Sequence, residues 1–198
     1  MIKYLNKIVS MSLAVIIGSL VSHSAYGNDP RINVWYENSE PEYYSMPAHK
    51  VRELCPKTKY TPLGCTHYVI TYKYTYKTKR INGEYEVTDV DMKFYYKSGD
   101  FYVYIVNKYP QGSCEYNAIK KHEELHVKVD QTVEIDLVKA YLKTCITEIN
   151  HQRPFELDFA VQDCAHGAFE ADMEVRRQRN KDIDADDNNH PNFGRDCR

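Results

Sequence analysis

The sequence predicts an α+β domain, an antiparallel sheet of about three to four strands packed on one long helix and a second, C-terminal helix. Three observations carry this. From His67 to Lys79 the chain alternates, with Tyr68, Ile70, Tyr72, Tyr74 and Tyr76 on one face and Lys73, Thr75 and Lys77 on the other. That is the period-two pattern of a half-exposed strand. Beyond Gly112 the period changes: Ile119, His122, His126, Val129, Val133, Leu137 and Ala140 recur in steps of three and four, one face of a helix. The chain also holds 18 Tyr against 6 Phe and 1 Trp, and Tyr favours pleated, half-buried surfaces.

Taken in order, Met1 to Gly27 is set apart from the fold. Lys3 and Lys7 precede an apolar run from Ile8 to Val21, and Ala25-Tyr26-Gly27 offers small residues at a cleavage site. This reads as a secretory signal peptide over residues 1–27, with one domain over 28–198 and an acidic tail from about residue 180. No other segment is apolar enough to span a bilayer, so no stable membrane span is expected once the signal is removed. The expected location is outside the cytoplasm, periplasmic or secreted. A formal net charge of −2 gives no electrostatic case for nucleic acid as a partner.

Ile32 to Tyr36 reads as a short strand and Glu37 to Pro47 as a polar loop. Ile81-Asn82-Gly83-Glu84 marks a hairpin turn between the strand His67 to Lys79 and a second strand, Tyr85 to Tyr96. Lys97-Ser98-Gly99-Asp100 reads as a further turn before a third strand, Phe101 to Val106. Glu115 to Ile149 holds neither Pro nor Gly and is expected as one helix. A second helix is expected from about Pro154 or Glu156 to Arg179, with Gly167 a point of interruption.

All six cysteines lie beyond residue 27, the usage of a disulfide-bonded exported domain. Cys55 and Cys65 flank Pro56, Pro62 and Gly64, a loop that a local bridge would close. On one straight helix Cys114 and Cys145 would stand about 46 Å apart, too far to pair. No C-x-x-C pair is present to suggest thiolate zinc.

The chemistry is carried by His122-Glu123-Glu124-Leu125-His126, an H-E-x-x-H string inside the strongest helical pattern. Histidines at i and i+4 share a face, so both imidazoles can reach one Zn²⁺. Glu123, beside the first, is the candidate general base toward water. Both histidines fall in the apolar stripe, where an unpartnered imidazole pair would be costly. The metzincin position for a third histidine is empty, since neither Gly nor His occurs between Val127 and Asp136. Glu170, on the second helix, is the leading candidate for third zinc ligand; His190, Glu174, His166 and Asp163 remain alternatives. Asp130, four residues after His126, is a candidate acceptor behind the ligands. Asp182, Asp184 and Asp186 open like a calcium loop, but Asp187 and Phe193 stand where such a loop needs Gly and Glu.

With these residues the chain resembles the zincin metallopeptidases, and in particular the bacterial family of predicted secreted zinc-dependent proteases. The run Asp182 to His190 is similar to a Y-D-x-x-T-x-H-G ending. It departs from that pattern at Ile183, Asp187 and Pro191 and by one added residue. The resemblance implies a sheet over an active-site helix, with a later helix delivering the third ligand. It also implies an exported zinc peptidase acting on peptide or protein substrates through metal-activated water. The strand Phe101 to Asn107 is the expected binding edge for an extended substrate. The rival expectation is a non-catalytic exported binding module that keeps this shape or a structural metal.

Overall fold

The computed structural model describes residues 29–55, 62–81, 83–152 and 156–186, and, in the tail, Pro191, Phe193 and Cys197. The expected signal peptide lies outside the described residues. In chain order the elements are β1 (Arg31–Glu37), β2 (Glu42–Met46), α1 (Ala48–Leu54), β3 (Gly64–Ile81), β4 (Glu84–Val106), α2 (Cys114–Asp130), α3 (Ile135–Gln152) and α4 (Leu157–Ala185).

The β3–β4 hairpin turns at Gly83, whose φ of 91° suits glycine. It pairs antiparallel from Ile81 opposite Glu84 to Gly64 opposite Ile105. A strand has two hydrogen-bonding edges, and β3 takes one of them along β4. The other is shared end to end: β1 pairs parallel with Asp89 to Tyr95, and β2 parallel with Tyr102 to Val106. The sheet is therefore mixed, with β4 central, which corrects the antiparallel expectation. Alternation reveals which face of a strand is buried but not the direction of its neighbour.

Lys97 to Asp100 is not a turn between strands. β4 runs through it, and the register steps from Tyr68 opposite Phe101 to Ile70 opposite Tyr96. Two residues of β3 thus span five of β4, and the excess is taken up as a bulge.

The tyrosine face lies under the helices as expected. Ile70 is buried, and Tyr68, Tyr72, Tyr74 and Tyr76 pack half-buried around Val34, Val90, Met92 and Phe94. Phe169 of α4 sits over Tyr72 at 4.9 Å and over Phe94 at 6.0 Å between ring centroids. The facing helix residues are Val138, Leu142, Ile146 and Ile149 of α3 and Val161, Cys164 and Ala168 of α4. A second cluster, including Phe101, Val103, Ile105, Tyr116, Ile119 and Val127, anchors α2 to the far half of the sheet.

The long helix expected from Glu115 to Ile149 is two helices, broken at residues 131–134. The cause lies in α4. Arg176 and Asp172 form a buried ion pair at 2.7 Å. The Arg176 guanidinium donates to the Asp130 carbonyl at the end of α2, and Asp172 accepts from the Glu134 backbone N–H at the start of α3, at 2.8 Å. Each helix end thus meets the charge its orphan groups and dipole favour. Across the break the buried face changes phase: Leu137 is exposed and Val138 takes its place inward. Gly167 does not interrupt α4. A Cβ there would collide with the Tyr141 ring, so glycine is what lets α3 and α4 approach.

Arg176 is a test of this junction. Arg176→Met leaves the Asp172 carboxylate buried without its counter-charge and is expected to cost about 3–5 kcal/mol in urea unfolding. Adding Asp172→Leu should recover most of that loss, short of the about 0.5–2 kcal/mol that belongs to capping α3.

Three disulfides pair all six cysteines: Cys55–Cys65, Cys114–Cys197 and Cys145–Cys164, with Cα–Cα distances of 6.5, 5.5 and 5.8 Å. The first is the local bridge anticipated. The second ties the start of α2 to the C-terminal tail, and the third staples α3 to α4. This chemistry fits an exported protein. Among the described residues no helix is long and apolar enough to cross a membrane.

Candidate metal centre

α2 begins at Ser113, whose hydroxyl accepts from the Tyr116 backbone N–H at 3.2 Å as an N-cap. Its sheet-facing side then runs Tyr116, Ile119, His122, Glu123, His126 and Val127, all buried. The apolar stripe therefore carries the H-E-x-x-H side chains inward, and their chemistry is set by what α4 brings opposite.

α4 brings Asp184. The Nε2 atoms of His122 and His126 lie 3.3 Å apart. Asp184 Oδ1 stands 3.1 Å from the second and 3.6 Å from the first. Two ligands held at about 2.1 Å on a tetrahedral ion are separated by about 3.4 Å. All three donor separations fall around that edge length, and the donor set, two imidazoles and a carboxylate, suits a divalent cation. These residues could hold a metal ion. The imidazoles are nearly buried, whereas the Asp184 side chain is 61% exposed, so the site opens toward solvent on the α4 side.

Glu170 does not take part. It lies on the same continuous helix as Asp184, about 21 Å away along the axis. It is exposed and paired with Arg177 at 3.0 Å. Arg177 also holds Glu174, at 2.6 Å. His166 stands 3.5 Å from the Tyr72 hydroxyl, and Asp163 is farther still along α4. His190 lies outside the described residues. The second helix, α4, extends to Ala185 rather than ending near Arg179, which sets its middle, with the expected third ligand Glu170, away from the histidines. Its last turns reach the histidines, and the middle ones do not.

A readable signal for Asp184 exists in the sequence. Asp172, Arg176, Asn180 and Asp184 follow at steps of four, continuing the buried face of Val161, Ala165 and Ala168. A polar ladder that runs on from a buried helix face demands partners where it is still covered. Asn180 finds two: His126 Nδ1 lies 2.9 Å from its Oδ1, and its Nδ2 donates to Asp130 Oδ1 at 2.9 Å. Asp130, buried rather than exposed, thus backs His126 through Asn180.

No protein-family model matches this chain, and neither a curated protein nor a solved structure matches it. The chemistry must therefore be argued from these side chains.

Glu123, buried beside the two histidines, also reaches the start of β3. Thr66 Oγ1 donates to its Oε2 at 3.0 Å and to its backbone carbonyl at 3.3 Å. Gly64 makes this possible: a Cβ there would stand 2.7 Å from Glu123 Oε1 and 2.8 Å from Ile119 Cγ2. Glu124 is on the outer side, 3.5 Å from Lys120.

The electrostatics agree with the geometry. Burial pushes the Glu123 carboxyl up, while His126, His122 and the Thr66 hydroxyl pull it down less strongly. Hydrogen bonds from His122 and His126 hold Asp184 well below the usual carboxylate range. Burial opposes charge on His126, yet its bonds to Asp184 and Asn180, with the Glu123 charge, push it up to about 9. Burial raises Asp130 to about 6 against the Asn180 amide and the Arg176 charge. The point between the three donors favours positive charge, which a proton on His126 or a metal ion would supply.

The strand expected to bind substrate does not have a free edge. Phe101 to Val106 pairs with β3 on one side and β2 on the other. The outer edge of β3 pairs with no strand among the described residues, and it begins at Gly64 and Thr66, against Glu123.

Proposed function

We propose that this chain is an exported zinc-dependent peptidase. The observation that carries the reading is the triangle of His122, His126 and Asp184, whose two histidines share α2 with Glu123, a buried carboxylate one residue along from the first. When bound, zinc supplies Lewis acidity toward the scissile carbonyl and toward water. Three protein donors are one fewer than a closed structural site uses, which leaves room for chemistry.

The chain's own residues do the rest. His122, His126 and Asp184 hold the ion. Glu123 accepts a proton from the attacking water and returns it to the departing amine, a task suited to a carboxyl group whose proton affinity burial has raised. Thr66 orients that carboxylate. An extended peptide would add to the outer edge of β3, its backbone passing Gly64 and Thr66.

Protein purified without chelator is expected to carry about one zinc per chain by elemental analysis. It should cleave members of a peptide library, stop when zinc is removed, and resume when zinc is restored. Absence of bound metal under zinc-replete conditions would refute the metal site. Stoichiometric zinc with no cleavage would refute catalysis and leave the exported binding module as the reading.

A further inference from the structure

We infer that Asn180 is a positioning residue that orients His126 for cation binding, and that Asp130 in turn fixes Asn180. The inference rests on the reading of His122, His126 and Asp184 as a cation site.

A side-chain amide has one accepting end and one donating end, and a carboxylate can only accept. Asp130 Oδ1 lies 2.9 Å from Asn180 Nδ2 and so takes the donating end. The amide oxygen is left facing His126 Nδ1 at 2.9 Å, where it can only accept. His126 therefore donates its Nδ1 proton to Asn180. The ring has a second nitrogen, Nε2, and it stands 3.3 Å from His122 Nε2 and 3.1 Å from Asp184 Oδ1. With Nδ1 tied down, rotation of the imidazole that would exchange ring nitrogens for ring carbons is blocked. Nε2 stays at the donor triangle.

The helices make this arrangement rigid. Asn180 and Asp184 are one turn apart on α4, so the residue that orients His126 and the residue that completes the triangle share a single backbone. Asp130 and His126 are one turn apart on α2. Two i,i+4 pairs thus face each other across the α2–α4 contact, and the amide links them. Arg176, one turn before Asn180, donates to the Asp130 carbonyl and pins the same junction.

The test combines zinc affinity, measured by chelator competition, with the His126 Nδ1–H proton signal, read by NMR on ¹⁵N-labelled, metal-free protein. Asn180→Ala is expected to weaken zinc binding about 10–100-fold, the range for partners behind a metal ligand. It should also lose the protected Nδ1–H signal. The decisive variant exchanges the pair, Asp130→Asn with Asn180→Asp. A carboxylate at 180 still accepts from His126, and an amide at 130 donates to that carboxylate, so both bonds return, the one between 130 and 180 with its direction reversed. A folded exchange variant should recover the proton signal and most of the zinc affinity, which a merely space-filling role for Asn180 would not predict. The inference is overturned if Asn180→Ala keeps both affinity and signal, or if the folded exchange variant recovers neither. Should wild type bind no zinc at all, the metal reading fails by itself, and the proton signal in metal-free protein still decides the role of Asn180.

Discussion

Asp184→Ala is expected to weaken zinc binding by more than the about 10–100-fold that partners behind the ligands contribute. Glu170→Ala should leave the affinity within error of wild type. The two carboxylates lie on one helix, fourteen residues apart. The structure separates them by geometry: Asp184 Oδ1 closes a triangle with two imidazole nitrogens, while Glu170 is held on the surface by Arg177. Removing Glu170 breaks an exposed ion pair, worth about 0–1 kcal/mol at most, and touches nothing near His126. Chelator competition on both variants, with unfolding curves to show that each is folded, separates the assignments. Equal losses, or a loss confined to Glu170→Ala, would sink the Asp184 triangle.

The parts of this molecule that were legible beforehand are those written in local periodicity. The tyrosine face of β3, the hairpin at Gly83 and the helical face carrying His122 and His126 all follow from the 2.0 and 3.6 residue repeats. The bridge between Cys55 and Cys65 follows from the turn-rich loop they flank, with Pro56, Pro62 and Gly64, which a local bridge would close. What local reading missed was decided by groups far away in the chain. The break between α2 and α3 has no Pro or Gly to mark it. It exists because Arg176 and Asp172 satisfy two helix ends better than an unbroken helix would be satisfied. The parallel seating of β1 and β2 on the edge of β4 that β3 leaves open is a pairing between segments far apart in the chain, which alternation within each strand does not encode. The turn expected at Lys97 to Asp100 was the right composition in the wrong context, since a ladder paired on both flanks absorbs it as a bulge.

The third donor was missed for a related reason. A run of acidic residues near the chain end reads as a solvated tail when taken by composition. Taken at helical spacing, Asp172, Arg176, Asn180 and Asp184 continue the face of Ala168, buried at Asp172 and Arg176 and opening to solvent by Asp184, and each of the first three has a buried or half-buried partner on α2, just before α3 or within α4. Cys114–Cys197 then returns the tail to the start of α2, so the far end of the chain is covalently held to the helix that its last turns serve.

Glu123→Gln should retain zinc and fold while losing about 10²–10⁴-fold in peptide cleavage, the contribution of a general base. The substitution keeps the size and the Thr66 hydrogen bond, because an amide oxygen accepts as a carboxylate does, and removes the group that takes a proton from water. Glu123 stands about 100° around α2 from His122, so it can face the reacting water while both imidazoles face the ion. Glu124 is the internal control: about 200° from His122, on the outer side, 3.5 Å from Lys120. Glu124→Gln should cost little in cleavage and nothing in zinc. The two single variants differ by one position in sequence and by about 100° around the helix, one inward and one outward, so a shared loss would point to helix disruption rather than chemistry. Steady-state cleavage of one peptide that wild type cuts, measured with equal zinc occupancy in all three proteins, reads the difference directly. If Glu123→Gln cleaves as well as Glu124→Gln, proton transfer at this carboxylate is not part of the reaction, and the buried Glu123–Thr66 pair serves only to seat α2 on β3.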